Sequence, residues 1–240
     1  MLKFSPYSYS KISSFEQCPT KFKFQYIDKI NLFQQSKALE KGTRVHEIIE
    51  LYEPTFYWKM KDFDYKLLSE NEQKECEDLA VKFCKSDLGN KYLMHPGMLG
   101  HEMHVGLDTK LQPCNYYDKS AMLRGKIDFL IKDGKTLWVV DWKTGKVTDQ
   151  RYMSNEQVML YAIWGFNMFP DVDVIKADYV YVEHDDTYSF EFKRDNYKNF
   201  TKNYATKLKT IETEKEFPMK VGPLCNYCDY YHQDYCKGLE

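Results

Sequence analysis

Apolar and polar positions alternate most clearly between Met122 and Lys143. MLRGKIDFLI and TLWVVDWK flank the turn residues KDGK, a pattern that predicts a β-hairpin. Upstream, Ser10 or Ser13 is placed to cap a short helix running to Cys18, where Pro19 ends or redirects it. Ser13 with Glu16 fits the capping-box spacing. Helical periodicity predicts a longer helix over about 39–52, stopped by Pro54, and a charged amphipathic helix over 70–87. Weak alternation over 101–108 suggests a strand. After the hairpin the pattern gives a helix over 155–168, strands over 174–183 and 187–193, and a basic helix over 195–215. Helices, a strand meander, a helix, two strands and a helix fit an α/β core with a mixed sheet.

The hairpin carries unexpected polarity. Asp141 and Lys143 lie two residues apart in VVDWKTGK and therefore share a face. A two-residue turn at Asp133-Gly134 would set Asp128 opposite Val139; a four-residue turn over 133–136 would set it opposite Asp141. Both registers leave Asp128, Asp141 and Lys143 on one face. A cross-strand salt bridge would satisfy that pattern. So would a metal site: two converging carboxylates repel unless a proton or cation joins them, and oxygen ligands suit Mg²⁺ or Mn²⁺. A neighbouring lysine can orient or help deprotonate water and stabilise developing negative charge, which equips the face for phosphodiester hydrolysis.

At 240 residues, 43% of them apolar, the chain is expected to form a single domain over 1–240 with a core of ordinary size. The net charge of −2 means that binding an anion needs a local basic patch. No apolar run reaches the roughly 18 residues of a membrane span, and MLKFSPYSYS lacks the apolar core of a signal peptide. A soluble, cytoplasmic protein is expected, in the host cytoplasm if the source is a phage or virus. Seven cysteines without a signal sequence point to metal or free thiols rather than disulfides. C-x-x-C at Cys225 and Cys228 can place two thiolates on one metal. Cys76, Cys84 and Cys114 lack partners at ligand spacing and read as structural or free thiols.

GKIDFLI followed by VVDWKTG resembles the core of the PD-(D/E)xK nuclease superfamily, in its RecB-like and Cas4-like branch. Four further stretches carry the resemblance, in the family's order, from Tyr7 to Cys236: YSYSKISSFEQCPTKFKF, GTRVHEIIE, QVMLY and CNYC with a later cysteine. The resemblance implies a restriction-endonuclease-like core with a central mixed sheet flanked by helices. Asp128 and Asp141 would bind the metal, with His46 and the Trp142 backbone carbonyl as further ligands, and Lys143 would position the attacking water. Gln157 and Tyr161, four apart on one helical face, would contact the DNA backbone or support the site. Glu102 is a weaker candidate for support, and Glu50 weaker still. Read without the family, His46 is a helix-face histidine packed on the core, and Gln157 and Tyr161 are ordinary packing residues.

The resemblance also implies a [4Fe–4S] cluster held by Cys18, Cys225, Cys228 and Cys236. It would join an N-terminal segment, 1–38, to a C-terminal segment, 217–240. The seven residues between Cys228 and Cys236 exceed the family's usual gap; YYHQDY could loop out, His232 could serve instead, and zinc is the alternative metal. Residues 193–209 hold six basic side chains and one acidic, interleaved with Tyr197, Phe200 and Tyr204. Lys198 and Lys202 there, with Lys21, Lys23, Lys41, Arg44 and Lys146, are candidate DNA contacts, although a basic helix is also an ordinary solvated face. The expected function is a metal-dependent DNA exonuclease acting at ends or in single strands, in recombination or repair. The alternatives are a Cas4-like trimming factor in a spacer-integration complex and a non-catalytic DNA-end-binding module. The chain lacks a G-x-x-x-x-G-K-[ST] phosphate loop, so any unwinding would come from a helicase, recombination or integration partner.

Overall fold

Strand β4 (Thr136–Lys143) organises the fold because its two faces have different chemistry. The structure is a computed structural model, and it describes residues 3–30, 32, 36–52, 66–147 and 154–237. The proposed helix stop at Pro54 lies outside the described residues. The chain divides into two compact units assembled from separated stretches. The first comprises Met1–Gln34, Val105–Gly125 and Asn196–Glu240; the second comprises Gln35–His104 and Lys126–Asp195.

Four strands complete the neighbourhood of β4: β1 (Met98–Leu107), β3 (Leu123–Asp133), β5 (Val174–Tyr181) and β6 (Asp186–Lys193), with a two-residue β2 (Pro113–Cys114) beyond β1. Their order is β2-β1-β3-β4-β5-β6. β3 and β4 form the expected hairpin, with Phe129 opposite Val140 and Asp133 opposite Thr136. Extended by one residue, that register sets Asp128 opposite Asp141. The turn is Gly134-Lys135, which keeps the register expected for the 133–136 turn but is two residues long; Gly134, at φ 53°, supplies the left-handed residue. β4 and β5 are parallel, β5 and β6 antiparallel, so the sheet is mixed as expected.

In the second unit, helices cover both faces of this sheet. Val140 and Trp142 point to one side, into a core with Val45, Ile48 and Ile49 of α3 (Lys37–Glu50), Ala80 and Phe83 of α4 (Glu70–Cys84), and Tyr92 of α5 (Asp87–Leu93). On the other side lies the crossover helix α6 (Glu156–Met168), whose run from Val158 to Phe166 is buried throughout. Gly165 permits the close packing: a Cβ there would fall 2.7 Å from Leu137 Cδ2 and 2.9 Å from Ile175 Cδ1. The helix expected over 70–87 is α4, ending at Cys84, and Ser86 then caps a further helix, α5, through Gly89 N. Ser13 caps no helix; a capping box instead starts α4, formed by Ser69 and Glu72.

In the first unit, α1 (Tyr9–Gln17) is capped by Ser8, whose side chain accepts from Lys11 N; Ser10 and Ser13 lie inside the helix, and a short α2 (Pro19–Phe22) starts anew at Pro19. The N- and C-terminal stretches meet through rings: Phe22 packs edge-on against Phe4 and Phe15 and stacks on Phe217 at 6.1 Å. Glu212, on α7 (Tyr197–Thr213), accepts from the Lys3 and Phe4 amides and from the Tyr7 hydroxyl. Among the described residues no helix is long and apolar enough to cross a membrane.

Candidate active site

The hairpin register and the alternation of β4 deliver Asp128, Asp141 and Lys143 to one face, at the end of β4. α3 contributes from the other side of the sheet edge. Its Gly42 lacks a side chain where a Cβ would stand 3.2 Å from Thr144 Oγ1, and this close approach sets His46, one turn on, against β4. His46 Nε2 lies 2.9 Å from the Trp142 carbonyl, and Nδ1 lies 3.5 Å from Asp128 and 3.9 Å from Glu102. One ligand atom from each of His46, Glu102 and Asp128 lies within 4.8 Å of the others. All these groups line one open pocket with Lys126, Lys143 and Gln157.

Asp141 lies opposite Asp128 on the hairpin, outside the close triad of His46, Glu102 and Asp128. It is buried, accepts 2.9 Å from Gln157 Nε2, and makes an ion pair with Lys143, whose ammonium also lies 4.7 Å from the Tyr179 ring centre. Glu102, ranked low by sequence, holds the third place in the close triad. Gln157 also donates 3.2 Å to the Tyr161 hydroxyl, which donates 2.7 Å to the Lys126 carbonyl. The Gln-x-x-x-Tyr spacing thus ties α6 to both hairpin strands and fixes the Asp141 carboxylate. Glu50 lines the pocket rim but is exposed.

The electrostatics are those of a site built for a cation. Burial, then the Asp141 charge, pushes the Asp128 carboxyl up to about 7, although the Trp142 amide donates to it at 2.9 Å. Burial works to lower the His46 imidazole, but its hydrogen bond to Glu102 and the charges of Asp128 and Asp141 outweigh burial and raise it. Burial works to raise Glu102, and bonds to His46 and Lys126 outweigh it and lower the carboxyl. Carboxylate oxygens and an imidazole gathered this closely fit a hard or borderline divalent ion, with the Trp142 carbonyl at the other ring nitrogen of His46.

The remaining sequence candidates are scattered. Lys146, Lys198 and Lys202 are exposed, and Lys23 pairs with Asp28 at 2.9 Å. Arg44 departs from the expected DNA patch: its side chain is only 3% exposed and is paired with Glu77 of α4. It faces the α3–α4 contact, where an unpaired guanidinium would be costly, so it is not a surface contact for phosphate. Cys18, Cys225, Cys228 and Cys236 line a single small cavity of the first unit, with Lys21 at its edge. Cys236 Sγ lies 3.1 Å from Met219 Sδ, and His232 bonds the Asn226 carbonyl. Cys76 and Cys84 are buried thiols on α4.

A family model, the PD-(D/E)XK nuclease superfamily, matches residues 6–237, and the chain belongs to that superfamily. None of the curated proteins matches. Among solved structures, a protein from Eubacterium rectale with a provisional exonuclease designation aligns over 95% of this chain and 87% of its own. It shares 14% identity at a TM-score of 0.55, a likeness of fold. A second, SSO0001, covers 95% of this chain and 86% of its own at 11% identity and a TM-score of 0.41, too low to carry an argument.

Proposed function

We propose that the protein is a divalent-metal-dependent DNA exonuclease. The observation that carries this reading is the pairing of Lys143 with the buried Asp141 immediately beside the His46, Glu102 and Asp128 triad. His46, Asp128, Glu102 and the Trp142 carbonyl would hold Mg²⁺ or Mn²⁺. When bound, the ion supplies Lewis-acid stabilisation of the charge that develops on the phosphate. Asp141, steadied by Gln157, holds the Lys143 ammonium at the pocket, where it orients the attacking water and donates hydrogen bonds to the phosphate oxygens. Lys198 and Lys202 on α7, and Lys146, would pair with backbone phosphates, a role their exposure supports. Substrate entry at a DNA end, and any supply of single strands by a helicase or recombination partner, belong to the same reading.

The test is cleavage of end-labelled single- and double-stranded DNA with Mg²⁺ or Mn²⁺ by the wild type and Asp141→Ala. Progressive shortening from one end, lost in the variant, is expected. Folded wild-type protein that leaves DNA intact, or a variant that cleaves normally, overturns the assignment.

We also infer that Cys18, Cys225, Cys228 and Cys236 hold a [4Fe–4S] cluster, with zinc as the competing metal; their lining one cavity supports it. Protein purified without oxygen should be brown and contain iron, and Cys18→Ser should lose both colour and iron. A colourless wild type that carries zinc instead decides for the other metal.

A further inference from the structure

Glu102 is a strand residue in an unusual backbone state. Its φ is 49°, the left-handed region, in the middle of β1. For a residue with a side chain this backbone state is disfavoured and needs a reason. The kink breaks the strand's alternation and turns the carboxylate toward His46 and Asp128, where its side chain is only 12% exposed. The result is a third acid beside Asp128 and Asp141 in a poorly solvated pocket. Such crowding requires compensation by positive charge. Lys143 is engaged with Asp141. The cation on Glu102 is Lys126, two residues before Asp128 on β3 and on the same face, with its ammonium against the Glu102 carboxylate.

Lys126 is unlike a fixed structural partner. Its side chain is 52% exposed, on a flexible stem, and its anchor in the fold is its backbone carbonyl, held by Tyr161. It can leave Glu102 without opening a buried cavity. Resting on the metal-dependent reading above, we propose that Lys126 is a placeholder cation. It neutralises Glu102 while the site is metal-free, yields that carboxylate when a divalent ion binds His46, Glu102 and Asp128, and then turns its ammonium to the pocket as a contact for substrate phosphate. A lysine suits this exchange because its charge sits on a mobile point donor rather than a planar fork.

A competitor and a tether predict opposite results. If Lys126 competes with the ion, its removal strengthens metal binding; if it merely props Glu102 in place, removal weakens it. Mn²⁺ binding to the full, chelator-stripped chain without DNA, followed by electron paramagnetic resonance and calorimetry, separates the two. Lys126→Ala and Lys126→Gln should each bind Mn²⁺ roughly two- to tenfold more tightly than wild type, the range set by removing one half-exposed charge. Glu102→Gln should bind it more weakly, and in the double variant the gain from Lys126→Ala should vanish, since the two side chains act through each other. Equal or weaker binding by both Lys126 variants, in samples whose thermal unfolding matches wild type, overturns the placeholder and leaves the nuclease reading standing. Wild type that fails to bind Mn²⁺ overturns the metal-dependent reading, and the placeholder with it.

Discussion

Asp128→Asn is expected to lower metal-dependent cleavage by about 10³-fold or more while leaving the metal-free protein at least as resistant to heat as wild type. The two effects come from one fact. Asp128 is a carboxylate held where folding alone would not put one: its side chain only 12% exposed, opposite Asp141, near Glu102. Without a cation these charges repel, and an amide of the same shape removes one of them. Its carbonyl oxygen can still accept from the Trp142 amide, as Asp128 Oδ2 does at 2.9 Å. Function requires the charge that stability disfavours, a common trade at active sites. Single-turnover cleavage of end-labelled DNA and thermal unfolding in chelator check both halves. Undiminished cleavage would remove Asp128 from the site. A melting temperature many degrees lower would show that the carboxylate serves the fold instead.

Trp142→Ala should destabilise the protein by about 3–5 kcal/mol, the usual cost of deleting a large buried aromatic. Trp142 lies between Asp141 and Lys143 but points the other way, into the α3–α5 side of the core. The residue is 3% exposed, and its ring meets Phe83, Phe129 and Tyr92 at centroid distances of 5.4, 5.7 and 5.8 Å. Removing it leaves those three rings around a void. The carbonyl that faces His46 belongs to the backbone and survives the change. Denaturant unfolding should therefore show the full loss, with a milder one for Trp142→Phe. Trp142→Phe should keep most of its cleavage at temperatures where it stays folded. A Trp142→Ala variant as stable as wild type would mean that this core does not position β4.

The chemistry-bearing residues of β4 were legible because strand alternation has a short, strict period: Asp141 and Lys143 must share a face whatever the turn. The turn itself was not legible. Asp133-Gly134 and Gly134-Lys135 are both acceptable to glycine's left-handed conformation, and the pairing of Asp133 with Thr136 decides between them. Gln157 and Tyr161 were legible as one helical face, but not that Gln157 bridges Asp141 and Tyr161, since no local rule names a partner on another element. Glu102 was undervalued for a physical reason: its positive φ destroys the alternation by which a strand is read. Arg44 was overvalued because charge ordinarily implies solvent; Glu77, 33 positions away, makes its burial tolerable. α5 was not legible because its seven residues follow directly on a longer helix and are too few to show a helical period of their own.

The spacing between Gly42 and His46 behaves as a ruler. The bare backbone at 42 sets how closely α3 approaches Thr144, and His46 rides on the next turn of the same rigid rod. A single methyl group at 42 would push on Thr144 and shift the imidazole by tenths of an ångström without altering any ligand. Ion radii among the divalent metals differ on that same scale. A preference among ions could therefore be retuned, by selection or by design, from a residue that supplies no ligand atom of its own side chain.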